Sequence, residues 1–297
     1  MIQQAKTYEI IRDDRITNLI ELVNASEISS IKNIVSNLIK IINDPKSTGK
    51  DLKGIIEIDP PLTARLLRLA NSAYYSPPNK FGEIMKAIIW IGYDAIKALA
   101  LSQKVCEIFT KNESFHGYSR IDLWKHSLAV ALLGKLIYRR EFGERGENVY
   151  AAGLLHDIGI IIEDQFYQNE FKEVLNKAQI EKTNLRKSES NFFGYDHADI
   201  GKALTANWKL PEEICISLGN HHNPEKVEQE FSKITCTLYI ADSFCHERDI
   251  GYNDEPFKGK VLLKECMKKI GIGSHAVHLI MGDVEQEISN MEDEGFF

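Results

Sequence analysis

Residues 151–159 read Ala151-Ala152-Gly153-Leu154-Leu155-His156-Asp157-Ile158-Gly159. An apolar run ends in an imidazole and a carboxylate, and apolar residues resume directly afterwards. A solvated polar pair is out of place there. Burying an unpaired polar group costs roughly 2–7 kcal/mol, and an unpaired charge more. His156 and Asp157 therefore need partners, either backbone hydrogen bonds or a metal ion. The backbone alternative explains this pair alone, and leaves unexplained why His221 and His222 end another apolar helical stretch beside Asn220 and Asn223.

Outward from this doublet, apolar residues recur at helical spacing and convincing period-two runs are absent. Asn148 to Phe166 is expected as one helix, preceded by Ile121–Phe142 across the Gly143–Gly146 turn. Further helices are expected over Phe171–Ile180, Ala198–Trp208, Pro211–Gly219, Phe231–His246, Val261–Ile270 and His275–Ile288. Upstream, Ile31 to Ile42 forms one apolar face, closed by Asn43-Asp44-Pro45. A helix starting near Ser47 or Thr48 runs to Ile58, and Asp59-Pro60-Pro61 reads as an N-cap with proline in the first turn of the next. Tyr74–Phe81 is a loop, and Ile84–Phe109 a long helix broken at Gly92, with Asp94 available as a cap.

The polar stretch Lys111–Arg120 separates two helical halves. The expected fold class is all-α: two packed helical halves, with 1–25 as an N-terminal extension, 26–115 as the first half, 116–250 as the histidine-rich half and 251–297 as C-terminal helices. No repeat or low-complexity tract suggests a solenoid.

The formal net charge is −7 and the pI about 5.8, which argues against a nucleic-acid duplex as partner. Five cysteines without a C-x-x-C pair read as reduced thiols. The first 15 residues lack the apolar core of a signal peptide, and no span reaches about 18 uncharged apolar residues. A cytoplasmic protein that does not span a membrane is expected.

Of nine histidines, five in the second half are ligand candidates: His126, His156, His197, His221 and His222. Together with Asp157 and Asp242 they offer imidazole nitrogens and carboxylate oxygens, donors suited to iron, manganese, zinc, nickel or cobalt. An aspartate has two oxygens and can bridge two ions. Two divalent cations against two carboxylates leave net positive charge, which attracts phosphate. Asp122, four residues before His126 on the same helix face, is an extra ligand candidate beside its plainer readings as a helix cap or solvated charge.

In order and helical context, His126, His156-Asp157 and Asp242 resemble the H…HD…D signature of HD-domain metal-dependent phosphohydrolases. The additional His197 and His221-His222 resemble the extended ligand set of HD-GYP cyclic-dinucleotide phosphodiesterases. The stretch from Asp59-Pro60-Pro61-Leu62 to Leu69-Ala70-Asn71-Ser72 is more specifically similar to HDOD domains, the HD-related output domains of bacterial signalling proteins. So are Leu123-Trp124-Lys125-His126-Ser127, Phe193-Gly194-Tyr195-Asp196-His197 and Trp208-Lys209-Leu210-Pro211. The resemblance runs from about Ser26 to Arg248 and implies an HD-like helical bundle as the second half, one or two bound divalent ions, and a regulatory role. Its implied partners are a signalling protein or a phosphate-containing small molecule.

Two readings follow. One is a regulatory protein that acts through partner or ligand binding. The other is an active phosphohydrolase, with Asp157 as the catalytic metal bridge. HD-GYP enzymes usually carry lysine three residues after the doublet's aspartate, where this chain has Ile160. Asn223-Pro224-Glu225-Lys226 follows His222 in place of a Gly-Tyr-Pro loop. Standard cyclic-di-GMP hydrolysis is therefore not expected.

The remaining features have structural readings. Arg65 is expected to pair with a carboxylate, with Asn71-Ser72 ending its helix, in preference to a phosphate site. Trp90, Trp124 and Trp208 are expected in the core. Lys125 points about 100° round the helix from His126. His116, His246, His275 and His278 are assigned structural roles, and the acidic end, Glu285 to Glu294, is a solvated tail.

Overall fold

Residues 2–71, 77–109, 114–115, 117–253 and 260–293 are described by a computed structural model. The first helices are α1 (Ile2–Asn24), α2 (Ile28–Asn43), α3 (Gly49–Glu57), α4 (Pro60–Ala70), α5 (Ile84–Ile91) and α6 (Tyr93–Cys106). A short 3-10 turn, Glu107–Phe109, leads to the two-residue strands β1 (Ser114–Phe115) and β2 (Tyr118–Ser119). Then come α7 (Arg120–Glu141), α8 (Glu147–Leu155), α9 (Ile158–Phe166), α10 (Gln168–Glu181) and α11 (Leu185–Phe193). The last are α12 (His197–Asn207), α13 (Glu212–Gly219), α14 (Gln229–Glu247), α15 (Lys260–Ile270) and α16 (Ser274–Asp293). The fold is all-α as expected, and no helix among the described residues is long and apolar enough to cross a membrane.

Local chemistry sets many boundaries. The Thr48 N–H donates to Asp51 at 2.8 Å to open α3, and the Leu62 N–H donates to Asp59 at 3.1 Å to open α4. The second Asp59 oxygen accepts from Lys104 at 2.5 Å, and Lys104 also reaches Glu107 at 2.7 Å, so buried charge ties α4 to α6. Arg65 pairs with Glu107 at 3.3 Å, which bears out its structural reading. Asn71 exchanges hydrogen bonds with the backbone of Phe81, fixing the end of α4; Ser72, Tyr74 and His116 lie outside the described residues.

In the second half, α7 is buried on almost every side and packs against α8, α14 and α16. Close approaches depend on glycine. A Cβ on Gly153 would stand 2.6 Å from the Ala131 Cα, so α7 and α8 touch through backbone. Ahead of them, α1 crosses onto α12, and the Arg15 guanidinium donates to the Phe193 carbonyl at 2.9 Å.

Four sequence expectations are corrected. The helix over Asn148–Phe166 is two helices, broken where Asp157 leaves helical geometry at φ −101° and ψ 13°. Nothing local forces the break; it turns the doublet inward. Helix α11 was not expected, because its buried positions include the polar Ser188 and Glu189 and its apolar residues are few, Leu185, Phe192 and Phe193. Asp94 pairs with Lys97 at 2.9 Å and does not cap α6; Gly92, at φ +99°, ends α5 and starts α6. Trp124 and Trp208 are core residues, but Trp90 is 49% exposed beside the exposed Ile89. Of the cysteines, all five are free, and Cys236 meets Cys266 instead of its sequence neighbour Cys245.

Candidate metal centre

Five elements deliver the predicted ligands to one place. His126 comes from α7, and His156-Asp157 occupies the α8–α9 break. His197 opens α12, His221-His222 follow α13, and Asp242 lies on α14. His126, His156, His197, His221 and Asp242 are almost wholly buried, whereas His222 is partly exposed and marks the open side.

The donor atoms converge. His126 Nε2 lies 3.1 Å from Asp242 Oδ1 and 4.0 Å from Asp157 Oδ2. His156 Nε2 stands 3.2 Å from Asp157 Oδ2 and 3.9 Å from Asp242 Oδ1. The other Asp157 oxygen, Oδ1, faces His197 Nε2 and His221 Nε2, each at 3.6 Å. His222 Nε2 is 2.8 Å from His197 Nε2. With metal–nitrogen bonds of about 2.1 Å, adjacent donors around one ion stand roughly 3–3.5 Å apart. The separations here fall near that range.

The outward ring nitrogens show why the inward ones are available. His156 Nδ1 faces the Gly153 carbonyl at 2.8 Å, and His221 Nδ1 the Leu218 carbonyl at 2.5 Å. His126 Nδ1 faces the Ile250 carbonyl at 3.3 Å, and His197 Nδ1 faces Glu189 at 2.7 Å. These oxygens only accept, so each Nδ1 carries a hydrogen and Nε2 is the ring atom turned inward, the one whose lone pair a metal would take. Ligating histidines are commonly oriented in this way. Among the described residues, His156 Nε2 and His221 Nε2 are buried without a hydrogen-bond partner, which is costly unless a cation takes their lone pairs. The residues present fit a divalent metal.

The charge states of the metal-free cluster differ from ring to ring. Burial works against an ionised Asp157, yet His156, His197 and His221 overcome it and hold the carboxyl well below the ordinary range. Burial and the neighbouring His156 push His221 well below its usual value. Burial also disfavours a charged His197, but Glu189 and Asp157 outweigh it and lift that ring to about 10.

Two further residues belong to this layout. Glu189 holds His197; its signal in the sequence was weak, since it stands eight residues upstream on a helix that was not expected. His246, assigned a structural role from the sequence, has its Nε2 3.1 Å from Asp242 Oδ1. Its i+4 spacing from Asp242 was the available signal. Asp122 does not cap α7, whose cap is Ser119; it is an exposed carboxylate in the first turn that accepts from Ser119 Oγ at 2.6 Å. Lys125 pairs with Glu292 on α16, away from the centre. Ile160 is buried in the core.

An all-helical protein with a buried histidine–carboxylate cluster able to hold divalent ions is thus defined by fold and site. The chain belongs to the HDOD domain family, which matches residues 28–224. It is similar to an HDOD domain protein of unknown function from Geobacter sulfurreducens, known as a crystal structure. The identity is 29%, with 95% of this chain and 98% of that one covered and a TM-score of 0.78. A Shewanella amazonensis SB2B protein, provisionally named a phosphohydrolase, shares the fold with a TM-score of 0.63 at 22% identity, over 89% of this chain and 90% of that one. An uncharacterized protein of Treponema pallidum (strain Nichols) is 25% identical over 225 residues. That alignment covers 73% of this chain but only 42% of the relative's length.

Proposed function

We propose that this chain is a regulatory HDOD protein whose centre binds one or two divalent transition-metal ions and which acts through a protein partner or a phosphate-containing ligand. The observation that carries the metal reading is the common orientation of the rings: four Nδ1–H groups are spent on outward acceptors while four Nε2 atoms surround Asp157 and Asp242. The regulatory reading is favoured by position 160, where a buried isoleucine offers no proton and no charge to a substrate.

A second reading, a metal-dependent phosphohydrolase, is favoured by Asp157, whose two oxygens address different histidine groups as a bridging carboxylate would. Bound divalent ions would supply positive charge for a phosphate and acidify water toward neutral pH. The chain's own part would be to hold the donors, keep water out on the α7 side and admit ligand past His222.

Elemental analysis of protein never exposed to chelator tests the shared metal claim, with stoichiometric iron, manganese, zinc or nickel expected in the wild type and little in Asp157→Asn. A turnover screen of the manganese- or iron-loaded protein against nucleotides, cyclic dinucleotides and a generic phosphodiester separates the two readings. Turnover that vanishes in folded Asp157→Asn would establish the enzyme and overturn the purely regulatory reading.

A further inference from the structure

We propose that His246 is itself a metal ligand and that, with His126 and Asp242, it closes the buried inner end of the centre, leaving the open coordination position at the His222 end. This rests on the metal reading above and adds to it a residue and an asymmetry.

The geometry starts on α14. His246 follows Asp242 by four residues, so both side chains leave the same face of the helix. His246 Nε2 approaches Asp242 Oδ1 at 3.1 Å, the same oxygen and the same distance as His126 Nε2. The two rings face each other with centroids 4.5 Å apart. Two imidazoles and a carboxylate therefore present three donors within the span of one ion.

His246 is also oriented as the other ligand rings are. Its Nδ1 meets Asn253 Oδ1 at 2.7 Å. The Asn253 amide cannot be reversed without loss, because its Nδ2 donates to the His246 carbonyl at 3.1 Å and to Asp249 at 3.0 Å. An oxygen therefore faces the ring, Nδ1 carries a hydrogen, and Nε2 is the atom turned toward Asp242.

One turn positions both rings. After α14 the chain reverses through Asp249, at φ +54°, and Gly251, at φ +74°. Within this turn the Ile250 carbonyl holds His126 Nδ1 while Asn253 holds His246 Nδ1. The Tyr252 N–H donates to the Asp122 carbonyl at 2.9 Å, fastening the turn to α7. Gly251 lies so close that a Cβ would stand 2.3 Å from the Asp122 oxygen and 2.6 Å from the His126 nitrogen. A strap that orients two facing imidazoles on one carboxylate oxygen is a ligand-positioning device.

Burial gives the asymmetry. At the inner end His246 shares one ion's span with His126 and Asp242, and all three are buried. At the outer end His197, His221 and His222 form another group, with His222 partly exposed. An incoming oxygen ligand therefore has its approach on the His222 side.

The test is Co²⁺ titration of chelator-stripped, full-length protein, followed by calorimetry and visible absorption. Wild type is expected to take up two equivalents. His246→Gln, with an unchanged far-ultraviolet spectrum, is expected to weaken one equivalent at least tenfold and alter its absorption band, while His222→Gln weakens the other. Asn253→Ala, which keeps the imidazole but frees it, is expected to weaken the same equivalent as His246→Gln and serves if that variant fails to fold. Wild-type affinity and spectrum in both variants, alongside loss in His126→Gln, would overturn the role of His246 and leave the metal reading standing. Absence of Co²⁺ uptake by wild type would overturn both.

Discussion

Glu189 Oε2 accepts two hydrogen bonds from His197, one from the backbone N–H at 3.0 Å and one from ring Nδ1–H at 2.7 Å. The first satisfies an amide in the opening turn of α12, which has no partner within the helix. The second fixes the ring. A single carboxylate thus sets both where the helix begins and which way its first side chain points. Loss of such an outer partner typically weakens metal binding about 10–100-fold. Glu189→Gln keeps the shape and an acceptor oxygen but drops the charge, and the expected outcome is a loss of about tenfold, measured by chelator competition. Unchanged affinity would show that His197 needs no anionic support.

Behind Glu189 lies a second buried carboxyl, Glu163. Burial and the neighbouring Glu189 push its pKa well above the ordinary 4.5. The sign of its effect follows from proton counts. Above pH 4.5 the unfolded chain gives up this proton while the folded chain keeps it, so stability falls with rising pH until the folded pKa is passed. Glu163→Gln removes that dependence with little change in volume. In metal-free protein the variant's Tm is expected to gain on wild type steadily from pH 5 to pH 8. Parallel Tm curves would mean that Glu163 is ionised in the folded protein.

These two carboxyls also show where the sequence was legible and where it was not. The helices that carry leucine, isoleucine and valine at regular spacing were visible, as were the Thr48 and Asp59 starts, because their signals are local. The doublet and the histidines stood out because polar groups in apolar runs are costly. Helix α11 was hidden because its inward face includes Ser188 and Glu189, polar residues that serve His197 and not the apolar core. The break at Asp157 was hidden for a related reason: Ala151 to Phe166 contains no proline, its two glycines both lie inside helices, and the geometry there answers to residues 31 to 85 positions away. Trp90 misled in the opposite direction, since an apolar side chain reads as core whether or not anything covers it.

Asp122 separates the helix-cap reading from the ligand reading. Its carboxylate accepts from Ser119 Oγ, while the Asp122 N–H donates back to that oxygen at 3.0 Å. The pair anchors the first turn of α7, on which His126 rides one turn later. Asp122→Ala keeps the backbone N–H that Ser119 caps and loses only an exposed acidic group in the first turn, so it is expected to lower stability by roughly 0.3–1 kcal/mol and to leave metal stoichiometry at the wild-type value. A missing equivalent of metal in the folded variant would make Asp122 a ligand.

Gly159 tests whether the α9–α12 contact holds the centre together. A Cβ there would stand 2.1 Å from the His197 carbonyl oxygen and 2.7 Å from its carbon, both backbone atoms that cannot swing aside. Alanine normally favours a helix over glycine by about 1 kcal/mol, so propensity alone predicts a more stable protein. The clash opposes it: overpacking costs typically about 1–3 kcal/mol, and here the relief must come from moving two helices apart. Gly282→Ala in α16 is the control, since nothing lies within 4 Å of its Cβ, and it is expected to raise Tm. Gly159→Ala is expected to lower Tm and also to weaken metal binding, because the displaced strands of contact run through His197 on one side and Asp157, two residues before the glycine, on the other. A Gly159→Ala protein that loses stability but binds metal as wild type does would show that the ligand rings hold their places without this contact.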